Sequence, residues 1–119
     1  MKDSLKETIT LYRPVGPKEL ALIEAAGFSE FPPRLPEQPI FYPVLNEEYA
    51  IQIARDWNAA HDGAGYVTRF RVNADSVRRY PIRTVGSSIH QELWIPAEEL
   101  AEFNRQIVGP IEVIASFVD

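Results

Sequence analysis

The segment His90-Gln91-Glu92-Leu93-Trp94-Ile95 gathers the most chemically capable side chains in the sequence. Side chains two apart along a strand point the same way, so His90, Glu92 and Trp94 share one face while Leu93 and Ile95 share the other. If the apolar pair marks the core side, an imidazole, a carboxylate and an indole are displayed together opposite it. A Trp beside two polar groups suits a cleft better than open solvent, because its ring wants cover while its N–H wants a partner. An ordinary solvated strand face is the alternative. The second candidate is Arg13, which has the strand parity of Ile9 and Leu11. A guanidinium at the end of an apolar row either snorkels to water or pairs with an anion.

Other chemistries are narrowed by what the sequence lacks. With no cysteine there is no disulfide, no thiolate nucleophile and no cysteine-ligated metal. Of the two histidines, His61 lies in a turn beside Asp62 and His90 stands alone on its strand, so no metal is expected. GxGxxG, P-loop, HExxH and GxSxG patterns are absent. The 12 Lys and Arg against 17 Asp and Glu leave a net charge of −5, which opposes non-specific binding to nucleic acid. The local excess of Arg69, Arg71, Arg78, Arg79 and Arg83 reads as a solvated basic edge. No apolar run approaches the ~18 residues of a membrane span, and the opening MKDSLKETITLYR lacks the apolar core of a signal peptide. A cytoplasmic location is the expectation.

The elements that must position these residues fit one domain over residues 1–119, given 45% hydrophobic and 24% charged residues. Thr8 to Arg13 is rich in β-branched and aromatic residues and reads as a strand ending before Pro14. Pro17 to Ala26 reads as a short helix stopped by Gly27. Phe28 to Pro39 holds too many prolines for regular structure, and a loop this long is functional or tightly packed. Phe28, Phe31 and Leu35 are expected to pack down from it. Ile40 to Val44 reads as a short strand, limited by Pro43. Asn46 can cap a helix whose buried stripe is Tyr49, Ala50, Ile53, Ala54 and Trp57.

Farther along, Tyr66, Thr68, Phe70 and Val72 alternate with Val67, Arg69 and Arg71, the pattern of a strand with one covered face. His90 to Ile95 is the next strand, followed by a helix that turns Leu100 and Phe103 inward. Ile111 to Val118 follows Gly109-Pro110 as the last strand, with Ile111, Val113, Ala115 and Phe117 on one side and a central or partly covered position. The sum is an α+β fold with a mixed, split β-sheet and flanking helices.

In order and spacing, four stretches resemble an ADP-ribosyltransferase-like family: LYRPVG (Leu11 to Gly16), FYPVLNEEYAIQIA (Phe41 to Ala54), GYVTRFRV (Gly65 to Val72) and HQELWIPAEEL (His90 to Leu100). The closest likeness is to small bacterial proteins labelled ADP-ribosylation/crystallin. The resemblance implies a protein that splits NAD between nicotinamide and ribose, then transfers the ADP-ribose to an unspecified acceptor, a protein among the possibilities, or hydrolyses NAD. It implies that Arg13 holds the dinucleotide, that Tyr42 or its rival Tyr49 shapes the nicotinamide pocket, and that Glu92 is the catalytic carboxylate with His90 lining the site. Members that modify arginine or asparagine often carry Glu or Gln where His90 stands, and a Ser-Thr-Ser pattern on the family's second strand is replaced here by Tyr42-Pro43-Val44. A non-catalytic binding module with the same fold is the alternative.

Overall fold

A computed structural model describes residues 7–118; the polar opening residues 1–6, and Asp119, lie outside the described residues. The principal sheet has three antiparallel strands in the order β1 (Thr8–Val15), β3 (Ala64–Asn73), β7 (Ile107–Val118). Every pairing among the described residues is antiparallel, where a mixed sheet was expected. The domain remains a compact combination of helices and sheets.

The alternation expected in the first strand is present, with Ile9 half-buried and Leu11 and Arg13 buried. The strand runs past Arg13 to Val15. Tyr12 turns its amide and carbonyl away from β3, exchanging hydrogen bonds of 2.9 and 2.8 Å with Val44. By alternation position 14 faces the same way, so Pro14 forfeits no bond to β3. Helix α1 (Pro17–Ala25) starts on Pro17, whose missing N–H would have been unpaired there anyway. The following loop drops Phe31 into the centre of the core, 5.1 Å from the Phe41 ring and 4.8 Å from that of Phe70. Asn104 clamps it by accepting from the Phe31 amide and donating to its carbonyl, both at 3.0 Å. Phe28 is half-buried, but Leu35 is 56% exposed, against expectation.

The expected strand from His90 to Ile95 is two short pieces, β5 (Gln91–Glu92) and β6 (Ile95–Pro96). The chain changes partners between them: β5 pairs with β4 (Arg83–Thr84), and β6 pairs with β2 (Ile40–Phe41). Leu93 and Ile95 are nonetheless buried as their parity demands. Ile40 to Val44 is likewise interrupted at Pro43, and Val44 pairs separately, with Tyr12 on one side and Glu92 on the other. That single residue stitches the main sheet to the smaller strands. It sets Glu92 two strand spacings, roughly 10 Å, from β1.

Helix α2 begins at Glu47–Ile53, with Asn46 Oδ1 accepting from the Tyr49 amide at 3.2 Å. It then passes through a π turn at Ala54–Asn58 and closes with Ala59–Asp62. The wider turn rotates the faces that follow it. Trp57, expected in the buried stripe, is 56% exposed, and Asn58 is buried in its stead. Strand β7 starts at Ile107, runs through Gly109-Pro110 and pairs on one side, with β3, so it is not central. Ala115 opposes Val67 and Val113 opposes Thr68, leaving Ile114 as an inserted residue. The bulge breaks the expected alternation and leaves Val113 exposed.

Candidate functional site

A cleft of about 950 Å³ runs along the end of β1 and is lined by residues of α1, the proline-rich loop, α2 and Glu92. Clefts of roughly 300–1,000 Å³ are the size that encloses small organic ligands. Arg13, Tyr42 and Glu92 all line it, so three residues singled out in the sequence share one space. Tyr49 bonds to Glu92 and His90 stacks on Tyr49; neither is among the residues that line the cleft, against the expectation that His90 lines the site.

Glu92 is nearly buried at 9% exposure. Its Oε2 accepts from the Tyr49 hydroxyl at 2.8 Å, and its Oε1 accepts from Trp94 Nε1 at 2.7 Å. The Trp94 bond is the i, i+2 relation read from the strand parity. The Tyr49 bond arises because the Asn46 cap starts α2 where its first turn meets β5. Burial, and secondly the hydrogen bond to Glu92, push the Tyr49 hydroxyl up to about 12. His90 stacks on Tyr49 with ring centres 4.4 Å apart, and its Nε2 lies 3.0 Å from Gln52 Oε1. Tyr42 meets Trp94 edge-on at 6.2 Å, and the Arg83 guanidinium covers Trp94 at 4.4 Å. The carboxylate is thus fixed by two donors and walled by aromatic rings. Each of its oxygens keeps a lone pair for another donor or a nearby cation.

Arg13 is buried, with its guanidinium 4.6 Å from the Phe41 ring centre. Its Nε and Nη2 donate to the two Glu19 oxygens at 2.7 and 2.9 Å, a bidentate fork. Nη1 lies 3.5 Å from the Tyr42 carbonyl. The sequence indicated an anion partner or snorkelling for this side chain; the partner is Glu19, from the first turn of α1. Arg34 also lines the cleft and donates from Nε to the Ile40 carbonyl at 3.2 Å. Burial, followed by the nearby Arg13 charge, lowers its pKa.

The opposite end holds residues that sequence reasoning missed. Asn58 Oδ1 is buried with no hydrogen-bond partner among the described residues. Trp57 stacks on His61 at 4.4 Å and lines the cleft with the exposed Leu22 and Leu35. The basic edge is largely spent on acids: Arg69 pairs with Glu112, Arg78 with Asp75 and Glu7, and Arg79 with Glu99. Among the described residues no three of His, Asp and Glu gather as a metal site, and no helix is long and apolar enough to cross a membrane. Comparison of the chain with protein-family models, curated proteins and solved structures finds no match.

Proposed function

We propose that the cleft binds NAD and that the protein breaks its nicotinamide–ribose bond, passing the ADP-ribose to an acceptor or to water. The observation that carries this reading is the convergence of Glu92 and Arg13 on one cleft of sufficient volume. As the bond breaks, its electron pair leaves with nicotinamide and positive charge grows on the ribose carbon. A carboxylate held in place beforehand stabilises that charge without reorganising, as Glu92 is held by Tyr49 and Trp94. Tyr42 offers a flat ring beside it. Arg13, once freed from Glu19, offers a fork suited to the pyrophosphate. Nicotinamide release by the purified protein tests the reading. Glu92→Gln should lower the rate about 100-fold or more while the protein stays folded.

A second reading, a binding module without turnover, is favoured by one observation. Two donors of the Arg13 fork are already held by Glu19. On this reading Arg13 and Glu19 hold the fold together, and neither the wild type nor Glu92→Gln releases nicotinamide.

A further inference from the structure

We propose that Asn58 and Trp57 form a recognition subsite for a planar ring carrying an N–H donor. Such donors in a dinucleotide are the amino group of adenine and the carboxamide of nicotinamide. The choice of ring rests on the NAD reading.

The starting observation is an energetic anomaly. Asn58 is 8% exposed and lines the cleft, yet its Oδ1 is buried without a partner among the described residues. An unmet buried acceptor is destabilising, and such groups in folded proteins call for an explanation. The second observation is the π turn that carries Asn58, a distortion frequent at functional sites. The third is the device that presses this turn against the sheet. A Cβ on Gly65 would stand 2.1 Å from the Ala54 carbonyl oxygen and 2.9 Å from Asn58 Cβ, so glycine alone permits the approach. The turn simultaneously brings Asn58 inward and turns Trp57, 56% exposed, toward the cleft mouth. Asn58 holds an unpartnered acceptor just below the cleft surface and Trp57 a broad aromatic surface at its mouth, so a ring that draws the amide outward is read by its edge and its face.

The position within the cleft selects which ring. Glu92 joins β1 through Val44 opposite Tyr12, whereas the α2 end meets β1 at Gly16, where a Cβ would lie 2.7 Å from Asp62 Oδ2. Four residue steps along the extended chain separate these points, roughly 13 Å at 3.3 Å per residue. Arg13 lies between them. With nicotinamide near Glu92 and phosphates near Arg13, the Asn58 end receives adenine.

Calorimetric titration of adenosine monophosphate and of nicotinamide mononucleotide into the wild type and Asn58→Leu tests this. Because Oδ1 has no bond to lose, the substitution should not lower the melting temperature. Adenosine monophosphate should bind at least about tenfold more weakly to the variant, with nicotinamide mononucleotide unaffected. If the loss falls on nicotinamide mononucleotide, the subsite stands and holds the carboxamide. Unchanged affinity for both, or no binding of either by the wild type, overturns the proposal. Should Asn58→Leu fail to fold, Asn58→Ala takes its place under the same criteria. Nicotinamide release from NAD with unchanged nucleotide affinities removes the subsite and leaves the NAD reading standing. Loss of adenosine monophosphate affinity in a protein that never releases nicotinamide does the reverse.

Discussion

Tyr49 donates its hydroxyl proton to Glu92 Oε2 at 2.8 Å, joining residues 43 apart in the chain. The helix that carries Tyr49 and the short strand that carries Glu92 are thereby linked at the carboxylate. Trp94 supplies the second donor from the same segment as Glu92.

This contact has a pH signature. Folding raises the Tyr49 pKa from about 10 to about 12, so the folded state holds the proton more tightly than the unfolded chain. The associated stability is complete below pH 10 and is lost as pH rises through 12. Tyr49→Phe should destabilise the protein by about 1.5–3 kcal/mol at neutral pH, the range for a hydrogen bond to a charged group. Urea midpoints of wild type and variant should converge between pH 10 and 12; parallel curves there would exclude the contact.

Glu19 competes with any phosphate for the Arg13 fork, since both present oxygens to the same two nitrogens. Glu19→Gln weakens the competitor and should tighten binding of ADP-ribose roughly tenfold. Weaker binding in the variant would mean that Glu19 holds Arg13 in its working position.

Gly65 sits under the π turn with no room for a methyl group. Gly65→Ala must displace backbone and should cost about 3 kcal/mol in chemical denaturation. A loss of under about 0.5 kcal/mol would show that the turn withdraws easily.

The proline-rich loop divides into two roles. Phe31 is buried among Phe41 and Phe70, so Phe31→Ala should cost about 3–5 kcal/mol. Leu35 is exposed at the cleft mouth, and Leu35→Ser should leave stability within about 0.5 kcal/mol while weakening NAD binding. Equal NAD affinity in wild type and Leu35→Ser would reduce the loop to a core stopper.

Short-range backbone geometry was legible in the sequence. Strand alternation placed Ile9, Leu11 and Arg13 on one side of β1 and turned Leu93 and Ile95 inward, because successive side chains on an extended chain must oppose one another. The Asn46 cap was legible for the same reason: its acceptor lies three residues from the amide it serves. Of the candidate residues, Arg13, Tyr42 and Glu92 share the lining of one cleft, with Tyr49 bonded to Glu92 and His90 stacked on Tyr49 outside that lining, although their order along the chain says nothing of distance. Tertiary structure decided the rest. The partner of Arg13 is six residues away, across the turn at Gly16 that folds α1 back onto β1. Trp57 and Asn58 exchange places because helical periodicity fails at a π turn, and that turn packs against Gly65 of a strand formed later in the chain. Val44 acquires its two partners only when β1 and β5 flank it. Burial of this kind depends on which distant segments meet, and a pattern of period two or 3.6 contains no term for that meeting.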